Sequence, residues 1–522
     1  RQYRSIWGFV EADKCRRRMI LEHFGDPRPP EPDVPCCDVC DPSLVPASAP
    51  GRSADAQYPQ VPVEAPIPAA LRRASAPLLP EVSELQAVRH FTRLSQLNFS
   101  IDTHFYPLGS CTMKYNPRVN EKVAALPNFA GMHPFAPDEC AQGTLGMLHG
   151  LQQMLQEICG MSAFSLHCAA GAHGELAGIL VSRAYHKSRG EKRTRVVLPD
   201  TAHGTNPASA RLGGFEVVTV SSNSRGRTSL SALREVMDGS VALFMLTNPN
   251  TLGLFEDEIL EIADIVHGCG ALLYLDGANL NALAGVVRPG DLGFDIVHVN
   301  THKTLSTPHG GGGPGAGPVG VAAHLAEFLP GWVVTEDGGV YSLQRPPSSI
   351  GLLRGFAGSV GILTRAYAYL RALGPEGLRE HTLGAITSAN YLRVRLAGTF
   401  APHVDEPCMH ECVLSARAQK ERGARAIDIA KCLLDAGFHP PTTYFPLIVE
   451  EALMIEPTES ESRETLDAFV DALLEIDRLI TSDPEAAHAA PRSTPVGRLD
   501  EVRAAREPVL VWKGDSGPSA GP

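Results

Sequence analysis

A mostly parallel, open α/β sheet is the fold class this sequence predicts, and three observations carry it. Short apolar runs recur at 195–199, 215–220, 241–246, 272–275 and 295–300, separated by helical stretches such as Glu256–Cys269. That alternation is expected of strands covered by helices on both faces. Two runs then stop on chemistry: Ala271-Leu-Leu-Tyr-Leu-Asp276-Gly ends on a carboxylate, and Asp295-Ile-Val-His-Val-Asn300 delivers Lys303 just past its end. Open sheets of this kind bind ligands beyond the carboxyl ends of their strands.

At 522 residues the chain can bury a large core and holds more than one domain, and 43% hydrophobic with 20% charged residues is ordinary for a globular enzyme. A net charge of -12 argues against nucleic-acid binding, because a surface that tracks phosphates needs a basic excess. No apolar run approaches the roughly 18 residues of a membrane span, and the first residues lack the apolar core of a secretory leader. Residue 1 is Arg, so a fragment or an in-frame fusion is expected. The 12 cysteines are scattered, which reads as reduced thiols in a cytoplasmic protein rather than as a disulfide framework.

Taken in order, residues 1–42 form a separate piece. Cys15-Arg-Arg-Arg-Met-Ile-Leu-Glu-His-Phe-Gly25 reads as a short helix, followed by Pro35-Cys-Cys-Asp-Val-Cys40. Cys15, Cys36, Cys37 and Cys40 could close a tetrahedral zinc site, which would supply folding energy that so short a segment lacks. The alternative is free thiols in a disordered leader. The segment resembles the zinc-binding module of RecQ-type helicases, although adjacent Cys36 and Cys37 depart from its spacing. No phosphate loop of the form G-x-x-x-x-G-K-[ST] follows, so no motor activity is expected.

Residues 43–67 are rich in Pro, Ala and Ser and read as a linker. A large domain is expected over 68–340, beginning with an arm. Ala69–Ala74 and Ser83–Leu94 look helical, and Leu85, Val88, Phe91 and Leu94 form an apolar face that would dress the edge of the catalytic domain. Pro107–Pro117 is a polar, turn-rich loop, and Leu145–Ile158 is an amphipathic helix. Ser162–Gly171 is then a strand-like approach to a helix beginning near His173. Free N–H groups at such a helix start suit a phosphate, which makes Gly171 and Ala172 backbone candidates for it. Asp200–Asn206 is the polar exit of the strand 195–199, and Pro308–Pro318 is a glycine-rich loop. A smaller C-terminal domain is expected over 341–513. It would hold a long helix at 355–373, a strand at 410–414 and a helix whose face carries Leu466, Phe469, Val470, Leu473 and Leu474. Residues 514–522 read as a disordered tail.

Asp276 and Lys303 have a joint chemical use. A lysine amine in a partly dry pocket can form a Schiff base, and an opposing carboxylate can keep the ring nitrogen of pyridoxal phosphate protonated. Taken alone, the same two residues read more often as a turn carboxylate and a solvated loop lysine. Lys114 is a rival amine, but no buried strand precedes it.

The surrounding segments overturn that bland reading. They are Asp102–Pro117 with Gly109-Ser-Cys-Thr-Met-Lys114, Ala169-Ala-Gly-Ala-His-Gly-Glu175, Pro199-Asp-Thr-Ala-His-Gly-Thr-Asn-Pro-Ala208, Thr247–Glu256, Asp276-Gly-Ala-Asn-Leu-Asn-Ala282, His302-Lys-Thr304 and Tyr444-Phe-Pro-Leu-Ile-Val449 with Glu456-Pro-Thr-Glu459. In this order they resemble the second subunit, or carboxyl-terminal half, of the glycine cleavage system P-protein family over roughly residues 60 to 513.

The resemblance implies an aminotransferase-like fold of type I and pyridoxal 5'-phosphate as cofactor. It implies Asp276, Gly171, Ala172, Asn279, Asn300, His302 and Thr205 as cofactor contacts, with Asn279 at the phenolic oxygen and Asn300 and His302 at the phosphate. His173 would stack on the ring, and Ser110, Cys111, Thr112 and Asn116 would meet the substrate. His203 and Thr205 would face the cofactor or substrate, and Lys303, His173 and His203 are candidate proton carriers. Cys168 stands where the family more often has proline, a tolerated packing change. The weak family positions in Gly355–Gly361 could alter a subunit contact. The implied reaction is decarboxylation of glycine with transfer of the aminomethyl group to the lipoyl arm of H-protein, that is, glycine dehydrogenase (decarboxylating). Subunit 1 would be the partner, in a heterotetramer. Another pyridoxal enzyme (an aldolase, decarboxylase or desulfurase) and a non-catalytic zinc-bearing interaction protein are the alternatives.

Overall fold

The computed structural model describes residues 68–75, 82–133, 136–310 and 314–511. Cys15, Cys36, Cys37 and Cys40, the segment 43–67 and the tail 514–522 lie outside the described residues.

The centre is a seven-stranded sheet of strands β1 (Ala163–Ser165), β2 (Arg195–Pro199), β3 (Glu216–Val220), β4 (Val241–Leu246), β5 (Leu272–Gly277), β6 (Ile296–Val299) and β7 (Val319–Val321), in the order β1-β7-β6-β5-β4-β2-β3. The five strands from β6 to β3 are parallel, and β7 pairs antiparallel with both β6 and β1. The apolar runs are continuous because both faces are covered. Leu273 and Leu275 enter one core and Leu272 and Tyr274 the other, the period of two that a strand imposes. Cys168 is fully buried in the second core, which pushes its thiol up to about 12. It serves there as a small apolar side chain.

Helix α3 (Gly171–Ser188) lies close against this sheet because its glycines carry no Cβ. An added Cβ at Gly174 would stand 2.6 Å from Gly317 O, and one at Gly178 would stand 2.6 Å from the Tyr274 ring. Helix α2 (Gln142–Cys159) buries Leu148, Leu151 and Leu155 in the first core.

The expected helix at 355–373 begins at Val360 and continues to Leu396 as α4. Gly374 (φ 64°) and Pro375 break it in two, since proline lacks the N–H that the helix needs there. The first half packs on the large core and the second, through Ala389, Leu392 and Leu396, on the small one. The small core lies under a four-stranded antiparallel sheet of β10 (Ala401–Pro402), β11 (Cys412–Ser415), β13 (Ala452–Ile455) and β12 (Thr442–Thr443). Strand β11 starts two residues later than expected, so His410 and Glu411 precede it. Helix α5 (Arg463–Ser482) buries Leu466, Phe469, Val470 and Leu473 as expected, and Ile476 and Ile480 in addition, while Leu474 is only partly buried. A further hairpin, β8 (Val333–Asp337) with β9 (Val340–Gln344), has no counterpart in the sequence reading.

The arm departs from expectation. Ala69–Leu71 forms only a 3-10 turn. In α1 (Glu84–Gln96) the apolar face remains exposed, Leu85 by 55% and Phe91 by 67%. Helical periodicity shows which residues share a face, and it does not say what covers them. No helix among the described residues is long and apolar enough to cross a membrane.

Candidate active site

Register brings the acid and the amine together. Strands β5 and β6 pair with Asp276 opposite His298 and Gly277 opposite Val299. Lys303, four residues beyond the end of β6, therefore arrives beside the end of β5, and both side chains line one cavity of about 280 Å³. Gly171, Ala172, Glu175, His203, Thr205, Asn279, Asn300, His302, His410 and Glu411 share its wall. Two larger surface grooves, about 870 and 620 Å³, contain neither Asp276 nor Lys303.

Asp276 is buried and held on three sides. Asn206 Nδ2 donates to Oδ2 at 2.9 Å, the Ala278 amide donates to Oδ1 at 3.1 Å, and His298 Nε2 stands 3.2 Å from Oδ1. Burial alone would push this carboxyl up; His298, Asn206 and Lys303 outweigh it and hold the carboxyl below its usual range. Tyr274 OH in turn meets His298 Nδ1 at 3.0 Å, which fixes the imidazole that faces the acid. Lys303 Nζ donates to Ser110 O at 2.7 Å.

The loop that carries Ser110 is anchored on the small sheet. Gly109 N donates to Met454 O, and Leu108 bridges Ile455. Of the four expected substrate contacts, Ser110 lines the cavity. Thr112 is buried behind it and donates to Glu456 Oε1 at 2.6 Å. Cys111 Sγ lies 3.8 Å from His309 Nδ1, and Asn116 Nδ2 turns back to Lys114 O. Asn279 lines the wall, but its Nδ2 donates to both Thr112 Oγ1 and Glu456 Oε1, so the donor expected at a phenolic oxygen is already engaged.

Of the two histidines, only His203 lines the cavity. His173 does not line the cavity among the described residues: its Nδ1 accepts the Ala169 amide at 3.1 Å, one turn back. A residue in the first turn of a helix can cap the strand-to-helix approach instead of facing the ligand. His203 lines the cavity, with its Nδ1 2.9 Å from Thr205 Oγ1, which donates to Glu175 Oε2 at 2.9 Å. His302 is pushed down to about 3 by burial, with His309 and Lys303 adding to it.

The rival Lys114 is excluded by geometry. It is buried away from the cavity and donates to Thr304 O, Tyr369 OH and Glu459 Oε1, each within 3.2 Å.

The wall fits pyridoxal phosphate. Helix α3 opens at Gly171 with free amides at the cavity, and a Cβ on Gly171 would stand 2.0 Å from Asn300 Oδ1, so only glycine leaves the space. Asn300 also lines the cavity, and its side-chain amide carries N–H donors of the kind a phosphate accepts. Sequence reasoning missed Glu175, Asn206, His298, His410, Glu411 and Glu456. The signal for His298 was a lone polar residue inside an apolar strand, and for Glu175 a carboxylate one helical turn after Gly171.

Residues 61–339 match the family model described as glycine cleavage system P-protein, residues 381–494 match glycine dehydrogenase, C-terminal domain, and residues 1–41 match RecQ zinc-binding. The chain is 54% identical over 453 residues to the probable glycine dehydrogenase (decarboxylating) subunit 2 of Caldanaerobacter subterraneus subsp. tengcongensis, covering 86% of this chain and 93% of that one. It is 53% identical over 473 residues to the protein so named from Chlorobium chlorochromatii, covering 90% and 98%. The fold is similar to that of glycine decarboxylase (P-protein) of the glycine cleavage system in inhibitor-bound form, with a TM-score of 0.67 at 24% identity over 88% of this chain and 98% of that one. It is also similar to Lactobacillus brevis glutamate decarboxylase, with a TM-score of 0.59 at 13% identity over 78% and 96%. A family model covering more than half of the chain and relatives above 50% identity over most of it agree, and the chain belongs to the glycine cleavage system P-protein family.

Proposed function

We propose that this chain decarboxylates glycine with pyridoxal phosphate held in the cavity of Lys303 and Asp276, and that it passes the aminomethyl group to the lipoyl arm of an H-protein. The observation that carries the reading is the meeting of that amine and that acid in one cavity, in a chain 54% identical to a relative named for this activity.

When bound, pyridoxal phosphate supplies an electron sink for the pair left behind by carbon dioxide. The protein's own groups do the rest. Gly171 and Ala172 amides, with Asn300 and His302, would hold the phosphate. Asp276, kept ionised by its three partners, would hold the ring nitrogen's proton. Thr205 fixes the His203 ring at the wall, where it could stack and carry a proton. Lys303 Nζ is the nucleophile of the site and, once released, a base. His302 stays neutral, so it would contact the phosphate as a hydrogen-bonding imidazole and not as a cation.

The relatives' designation as subunit 2 fits a partner subunit 1 within the glycine cleavage system; assembly as a heterotetramer belongs to the same proposal. A reducing, cytoplasmic setting fits the eight free cysteines among the described residues. Zinc on Cys15, Cys36, Cys37 and Cys40 is a separate proposal, supported by the match of residues 1–41 to the RecQ zinc-binding model; the zinc content of the full chain tests it. The reaction is tested by exchange of carbon between glycine and bicarbonate, measured with subunit 1 and lipoylated H-protein present. Exchange that needs all three proteins is expected. None with all three, or full exchange without subunit 1, would overturn the respective part of the reading.

A further inference from the structure

Beside Lys303 lies a buried group of acids that the reading above does not use. Ligating atoms of His410, Glu411 and Glu456 all stand within 4.8 Å of one another, and each residue is at most 3% exposed. His410 and Glu411 line the cavity. Ser110, held at φ 61°, joins this group to the lysine: its amide donates to Glu411 Oε2 at 3.0 Å and its carbonyl accepts from Lys303 Nζ at 2.7 Å. His410 Nδ1 and Glu456 Oε2 are buried without hydrogen-bond partners among the described residues.

Two carboxylates this close and this dry do not both ionise. Their surroundings decide which one keeps the proton. Glu456 Oε1 receives hydrogen bonds from Thr112 Oγ1, Asn279 Nδ2 and Asn281 Nδ2 at 2.6 to 3.0 Å. Glu411 receives one, from the Ser110 amide. Burial first, and the Glu456 charge second, push the Glu411 carboxyl well above its usual range. The charged and titratable groups that face it are Glu456, Lys303, His410, Cys408 and Cys412.

No arginine lines the cavity among the described residues. A guanidinium clamp on a carboxylate that is to leave binds the ground state more strongly than the transition state, which raises the barrier. A neutral acid is a weaker and more suitable holder. We propose that Glu411 binds the carboxylate of the incoming amino acid through a hydrogen bond donated by its own carboxyl O–H. The inference rests on the proposed pyridoxal-dependent glycine reading and names the group that recognises its substrate.

The test uses the full chain loaded with pyridoxal phosphate and assembled with its partner subunit. The affinities of glycine and of methylamine, which lacks the carboxylate, are measured by calorimetry and by the cofactor's absorption. Glu411→Ala is expected to weaken glycine about tenfold or more relative to methylamine, the loss of one charge-assisted hydrogen bond. Glu411→Gln, whose amide also donates, is expected to stay within about threefold of wild type. In wild type the glycine-to-methylamine preference falls as pH rises through the Glu411 pKa, because the donor is lost, and in Glu411→Gln it is flat. An unchanged preference in Glu411→Ala, or a pH-dependent one in Glu411→Gln, overturns the assignment. Should Glu411→Ala fail to fold, the pH profile of Glu411→Gln against wild type decides alone. A wild-type protein that takes up no cofactor refutes the underlying reading instead, and is told apart by its absorption spectrum.

Discussion

Asp276→Asn removes a charge and almost nothing else, so its consequence can be worked from the site. A carboxylate offers about four acceptor positions, and three are occupied by Asn206 Nδ2, the Ala278 amide and His298 Nε2. One remains for a cofactor ring N–H. An asparagine at the same place keeps its oxygen toward Ala278 and His298 and turns an NH₂ toward Asn206, whose own amide is a donor, and toward the position that the ring would fill. The variant therefore loses one charge-assisted hydrogen bond to the cofactor, about 1.5–3 kcal/mol, or about 10- to 150-fold in affinity. Titration of cofactor-free protein with pyridoxal phosphate, followed by absorption, measures this, with circular dichroism as the check on folding. A dissociation constant within about threefold of wild type would refute the role given to Asp276.

Four further outcomes are expected. Lys303→Ala should abolish turnover with the fold retained and remove the site that borohydride fixes to the cofactor, mapped by peptide analysis; wild-type turnover would contradict this. Gly171→Ala places a methyl 2.0 Å from Asn300 Oδ1, so cofactor affinity should drop by at least about tenfold, which the same titration reads. Lys114→Met removes the 3.0 Å cation from Glu459, 17% exposed in its side chain, and leaves only the His381 ring at 3.6 Å. It should destabilise the fold by about 3–5 kcal/mol, seen as a lower urea midpoint, and adding Glu459→Gln should recover part of the loss; a single variant as stable as wild type would argue against the pair. His302, held at about 3 against an ordinary 6.5, should stay neutral in histidine-labelled NMR spectra down to about pH 4. Because its folded value is depressed, its contribution to stability is present above pH 6.5 and lost as pH falls from there toward 3. A titration step for this ring near 6.5 would contradict its burial.

The chain's apolar periodicity set out the parallel strands and their order along the chain, because a strand covered on both faces must be apolar throughout. Strand ends marked by Asp276 and Lys303 pointed to the two groups that meet in the cavity, and the small residues at the start of α3 to the phosphate position proposed there, since each is a local property of a few consecutive residues. Other features depended on contacts between distant segments, which periodicity does not encode. That His173 leaves the cavity wall while His203 lines it as expected follows from a cap formed across one helical turn. His298 acquires its role only because β5 and β6 pair in one register, and Lys114 loses its rival claim only when Glu459, 345 residues away, closes over it. Glu411 and Glu456 come from the ends of two neighbouring strands of the small sheet, so their proximity exists only in the folded protein.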